Sequence, residues 1–137
     1  MDVTVTCKKN MKIIEIIPQL SSGGGERFTV DLCNELITQG HEITIVILLS
    51  LNDNTNFYIP DLSPEVKVVS MNKKVGLDLD IINRLRNFIK SQAPHIVHTH
   101  LRAISYVLPC AMLNRKTKFF HTIPVSYTHL RAHETPE

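Results

Sequence analysis

The sequence has no block of like charge, no long apolar run and no C-x-x-C pair. Fifteen Lys and Arg against thirteen Asp and Glu leave a formal charge of +2. Spread along the chain, that balance gives no electrostatic reason to expect nucleic acid, or an anionic membrane as the main partner. No stretch approaches the roughly 18 consecutive apolar residues of a membrane span, and the opening MDVTVTCKKN lacks the apolar core of a signal peptide. The three cysteines, Cys7, Cys33 and Cys110, are odd in number and far apart. Cys33 and Cys110 fall in apolar helical patterns and read as buried free thiols in a reducing cytosol. Also missing are G-x-G-x-x-G, G-x-x-x-x-G-K-[ST] and H-E-x-x-H, so neither a dinucleotide, a P-loop nor a zinc-protease fingerprint is satisfied.

What is present suits one domain. A chain of 137 residues with 43% hydrophobic content can bury a core of its own. KIIEII (12–17) ends at Pro18 and reads as a short buried strand. A turn-forming run, SSGGG (21–25), leads into a helix on which Phe28, Leu32, Cys33, Leu36 and Ile37 recur at helical spacing, stopped by Gly40. EITIVILL (42–49) is a strand covered on both faces, 50–64 a surface loop, and VKVV (66–69) a weaker strand. Leu79, Ile82, Leu85 and Ile89 keep helical spacing, with Asp78 and Asp80 at the positive end of the dipole. HIVHTH (95–100) is a fourth strand, ISYVLPCAML (104–113) a helix that Pro109 should kink or shorten, and TKFFHTI (117–123) a fifth strand. The order β-α-β-β-α-β-α-β implies an α/β, Rossmann-like, mostly parallel sheet with helices on its faces and right-handed crossovers.

Two stretches carry chemistry. Gly23, Gly24 and Gly25 lie between a strand and a helix, where bare backbone N–H groups and the helix N-terminus suit a phosphate. A plain strand–helix connection explains such glycines equally well. His98 and His100, two apart in a strand, share a face at its carboxyl end. Ligands of doubly wound sheets bind in the crevice outside those ends, where strand order reverses. With the order 3-2-1-4-5, the glycine loop and His100 face each other across that crevice. His98, His100 and His121 would also supply three imidazoles for zinc. No acidic ligand accompanies them in the sequence, so no metal is expected. His41 and His95 read as surface or cap residues.

After Ile123 the pattern stops. PVSYTHLRAHETPE has neither a helical nor a strand period where a sixth element is due. Thr-His-Leu-Arg-Ala occurs here at 128–132 as well as at 99–103. The run VSYTHLRAHET resembles the translation of a transposon-end sequencing adapter, which makes 124–137 a non-native or disordered tail. At the other end, Met11 is a natural start, so 1–10 read as an upstream extension.

Residues 11–123 resemble the N-terminal domain of family 4 glycosyltransferases, which have the GT-B fold. The features are the Met11–Ile17 opening, Gly23-Gly24-Gly25-Glu26-Arg27, Gly40-His41-Glu42-Ile43-Thr44, and PHIVHTHL. The resemblance implies retaining transfer of a sugar from a nucleotide-sugar donor to a glycan or lipid-linked acceptor, in cell-envelope polysaccharide synthesis. Its N-terminal domain mainly binds acceptor; its C-terminal domain, with paired glutamates and the nucleotide pocket, has no counterpart in these residues. Gly23, Gly24, Gly25 and Glu26 would meet donor diphosphate or acceptor, and His100 would contact the transferring sugar in catalysis. No metal or other cofactor is implied. The implied location is cytoplasmic, at the inner face of the membrane where the acceptor is lipid-linked. Pro124 departs from the family, which usually has histidine after this His-Thr-Ile. The isolated chain is expected to be inactive. The alternatives are a fragment of a GT-B nucleotide-sugar epimerase and a non-catalytic flavodoxin-like binding module.

Overall fold

Four isoleucines in six residues favour an extended segment, because β-branched side chains crowd a helix and pack well on a pleated surface. In the computed structural model, which describes residues 10–51, 57–74, 76–113 and 116–122, that segment is β1 (Lys12–Ile17), five of its six residues buried. It is the central strand of a five-stranded sheet ordered β3-β2-β1-β4-β5, parallel throughout. The other elements, in chain order, are α1 (Gly24–Thr38), β2 (Glu42–Ile47), β3 (Lys67–Ser70), α2 (Asp80–Gln92), β4 (Ile96–His100), α3 (Ile104–Leu113) and β5 (Lys118–Thr122). Short 3-10 turns at Ile59–Asp61 and Leu101–Ala103 complete them. The α/β, Rossmann-like class expected from the element order is the one observed.

Alternation along the strands divides the core in two. Ile13, Ile17, Ile43, Ile45 and Ile47 face α1, where Val30 and Cys33 meet them. Ile14, Ile16, Val46 and Val97 face α2 and α3, against Leu85, Ile89 and Val107. Each such side chain, fully buried, contributes about 1.5–3 kcal/mol of transfer free energy. Cys33 and Cys110 are buried and free, and burial raises both thiols above their ordinary value. That keeps them protonated and unreactive.

Several element boundaries differ from the sequence reading. β2 ends at Ile47 rather than Leu49, although the Leu48 and Leu49 amides still bond to the Ile17 and Pro18 carbonyls. β3 is shifted by one residue and β5 begins at Lys118 rather than Thr117; Ile123 lies outside the described residues. Pro109 lies inside α3, which continues to Leu113. Its missing N–H costs one bond, to the Ser105 carbonyl, and the packing of Val107 and Cys110 holds the helix together past it. Cys7, most of the upstream extension and the 124–137 tail lie outside the described residues.

His41 and His95 are backbone caps. His41 Nδ1 accepts the Met11 amide at 3.0 Å, and His95 Nδ1 accepts the Lys12 amide at 2.9 Å. Both hold the entry to β1.

Candidate functional site

The strand order reverses between β1 and β4, so the chain leaves β1 toward α1 on one face and leaves β4 toward α3 on the other. Diverging exits open a crevice at the carboxyl ends. Here it is a cleft of about 980 Å³, lined among others by Gln19, Glu26, Lys73, Arg102, Tyr106 and His121. Lys73 places its ammonium 5.5 Å from the Tyr106 ring centroid.

Gly23 caps α1 in an extended conformation with no side-chain cap. The glycines have separate reasons to be glycine. A Cβ on Gly23 would stand 2.3 Å from Glu26 Oε1, and one on Gly25 would stand 2.9 Å from Leu101 Cδ2. At Gly24 a Cβ would meet nothing within 4 Å, so of these three glycines it is the one that opens to free space. Glu26 folds back over the first turn. Its Oε2 accepts the Ser21 hydroxyl at 3.0 Å, and Gln19 Nε2 in turn donates to Ser21 Oγ at 3.0 Å. A carboxylate thus already occupies the region of positive partial charge at the helix N-terminus.

The contact between Gly25 and Leu101 joins the glycine loop to the end of β4. Leu101 has φ +58°, a left-handed backbone that costs a branched side chain about 1–3 kcal/mol. Tight packing of its side chain against α1 holds it there. Leu101 and Arg102 both line the cleft.

Beneath the cleft lies a buried cluster. Glu15, in the middle of β1, is paired in register with His98. His100 Nε2 lies 2.6 Å from Glu15 Oε1, and His98 Nδ1 lies 3.1 Å from the same oxygen. His98 Nε2 hydrogen-bonds Thr122 Oγ1 on β5. Burial alone raises the Glu15 carboxyl, but the hydrogen bonds from His100 and His98, with their charge, outweigh it and hold the group below its ordinary value. His98 and His100 do share a face, their ring centroids 4.1 Å apart. His100 is 2% exposed, with the Phe28 ring 6.2 Å away.

The sequence candidates are therefore brought together in part. Glu26 lines the cleft, Gly23 lies against Glu26, Gly25 packs on Leu101 and Gly24 faces open space. His100 stands behind Leu101 in the buried cluster, outside the cleft lining. The imidazole on the cleft wall is His121, whose Nδ1 lies 2.8 Å from Thr99 Oγ1. Its odd position on β5 turns it to the face opposite His98 and His100, so the three imidazoles do not gather. The expectation that no acidic residue joins the histidines is corrected: Glu15 does so from the neighbouring strand.

A model of the family described as Glycosyltransferase Family 4 matches residues 22–132. That span takes in part of the stretch beyond Ile123. No protein of curated function matches the sequence. Among solved structures, a glycosyltransferase from Rickettsia africae ESF-5 is similar with a TM-score of 0.63 and 23% identity, over 90% of this chain and 34% of that one. TcCGT1, solved in complex with UDP, gives 0.59 and 14% over 94% and 33%. The glycotransferase of kitacinnamycin gives 0.56 and 14% over 93% and 35%. The chain spans about a third of the length of each. These likenesses establish the fold. Among the described residues, no helix is long and apolar enough to cross a membrane.

Proposed function

The chain belongs to glycosyltransferase family 4, and from that premise we propose that it forms the acceptor side of an enzyme moving a sugar from a nucleotide-sugar donor to a glycan or lipid-linked acceptor, with retention at the anomeric carbon. The observation that carries the assignment of side is Glu26. Its carboxylate sits where a phosphate would otherwise bind at the α1 N-terminus, 7% exposed and on the cleft wall. An anionic diphosphate is repelled there, whereas a sugar hydroxyl can donate to it. Gly24 leaves room for that sugar.

The cationic groups of the cleft, Lys73 and Arg102, belong to the wall formed by the β3 and β4 exits. They suit the negative charge that develops on the leaving diphosphate. We assign direct contact with the transferring sugar to His121, on the wall. His100 then acts indirectly, by setting the turn that presents Leu101 and Arg102. A second domain supplies the nucleotide pocket, which accounts for the third of a length shared with the solved glycosyltransferases; the complex of TcCGT1 with UDP supports a nucleotide donor. We propose a cytoplasmic reaction, facing the membrane where the acceptor is a lipid.

Ligand-observed NMR on the 137-residue chain tests this, with UDP-sugars and free oligosaccharides as probes. Saturation should pass to oligosaccharides and be lost in Glu26→Ala and His121→Ala. Binding of UDP-sugar alone, unaffected by either substitution, would reverse the assignment of side.

A further inference from the structure

The buried cluster below the cleft enters that reading only through the turn that follows His100, and its geometry points to a property of its own. We propose that Glu15, His98 and His100 bind one divalent transition-metal ion, zinc being the best match, as a structural tie between β1 and β4.

Charge is the first reason. Glu15 is 1% exposed, and among the described residues its ion-pair partners are the two histidines alone. A buried carboxylate needs a positive partner. Among the described residues no lysine or arginine reaches it, so a proton on an imidazole or a cation would supply the charge. Convergence fits a cation. Two ring nitrogens address one carboxylate oxygen, and the three ligand atoms lie within 4.8 Å of one another. Neutral imidazole N–H groups also satisfy such an oxygen by hydrogen bonding, and the metal titration below separates the two arrangements.

The ligand set and its support fit as well. Two imidazoles and a carboxylate are a zinc set, with nitrogen and oxygen about 2.0–2.2 Å from the ion. Neighbouring ligands of a tetrahedral ion stand about 3.3 Å apart. The 3.1 Å contact is nearly there and the 2.6 Å contact must open. Calcium and magnesium prefer more oxygens than this site has. Metal-bound histidines donate their outer N–H to a neighbour; His98 has such a neighbour in Thr122 Oγ1. Strand register fixes all three side chains, since Glu15 pairs with His98 and His100 is two residues on. His98, with 18% of its side chain exposed, marks the way in, and water completes the coordination. None of the three residues lines the cleft, so the ion is structural.

The test uses the metal-free 137-residue chain titrated with Zn²⁺ and with Co²⁺. One equivalent should bind, Co²⁺ should develop the visible absorption of a four-coordinate site, and the melting temperature should rise with free metal. His98→Gln, at the partly exposed position, should weaken binding by more than about 100-fold, and Glu15→Gln should do the same. The double change His129→Gln/His133→Gln and the change His121→Gln should leave it intact. If Glu15→Gln fails to fold, His98→Gln decides. Absence of saturable binding, or binding that survives His98→Gln, overturns the proposal and leaves a histidinium–carboxylate cluster.

Discussion

The two ends of the parallel sheet use histidine in opposite ways. At the amino end, His41 and His95 each accept a backbone amide, of Met11 and Lys12, and hold the start of β1. At the carboxyl end, His98, His100 and His121 bond only side chains in the contacts described: Glu15, Thr122 and Thr99. A ring that caps backbone does what water would otherwise do. A ring that meets a buried carboxylate, or stands on a cleft wall, is held in an orientation that chemistry can use. The same residue type therefore marks structure at one end and a site at the other.

Glu15→Ala tests that contrast most severely. It strips the buried cluster of its acceptor and should lower stability by about 3–5 kcal/mol, as expected when one member of a buried charged pair is removed; urea denaturation would measure it. Next come two adjacent glycines at the same end. Gly25→Ala drives a methyl against Leu101 and should cost about 1–3 kcal/mol. Gly24→Ala meets nothing and should change stability by less than about 1 kcal/mol, while weakening any sugar that uses the open space. Thermal melts with an oligosaccharide titration separate the two. At the amino end, His95→Ala should cost less than about 1 kcal/mol, because water can replace the exposed ring at the Lys12 amide. Equal losses for His95→Ala and Glu15→Ala would erase the distinction.

The smallest effect is one of pH. Asp78, between β3 and α2, accepts the Lys74 amide at 2.9 Å and lies 3.6 Å from Arg84 Nη2. The Lys74 hydrogen bond, with Arg84 beside it, holds its carboxyl below the ordinary 3.8. A depressed folded-state value means that the stabilisation is present above about pH 4 and is lost as pH falls through the folded value. Asp78→Asn should flatten that part of the acid limb. Acid titrations of the two proteins that superimpose below pH 4 would show that Asp78 is not its source.

Most of the architecture could be read from the chain because its signals are local. KIIEII, the helical spacing of Leu32, Cys33, Leu36 and Ile37 on α1, and the β-branched EITIVI each specify their own element within a dozen residues. Period two correctly put His98 and His100 on one face. It could not say which helix would cover that face, and so whether the rings would meet solvent or Glu15. Glu15 was unreadable as a site residue for a related reason. It stands alone among isoleucines, and its partners are 83 and 85 residues away, joined to it only by the pairing of β1 with β4. His121 was weighed only as a metal ligand. Its place on the cleft wall follows from the register of β5 against β4, which puts it beside Thr99.

That register has a consequence for how the molecule can change. Position 99 looks toward α2 and α3, while positions 98 and 100 look toward α1, so the sheet stands between the His121 pair and the Glu15 cluster like a wall between two rooms. A lineage can exchange the imidazole on the cleft wall without rewiring the cluster behind it. It can equally replace Glu15 and its histidines together and leave the wall of the cleft as it was. Specificity and scaffold are inherited on opposite sides of a single strand.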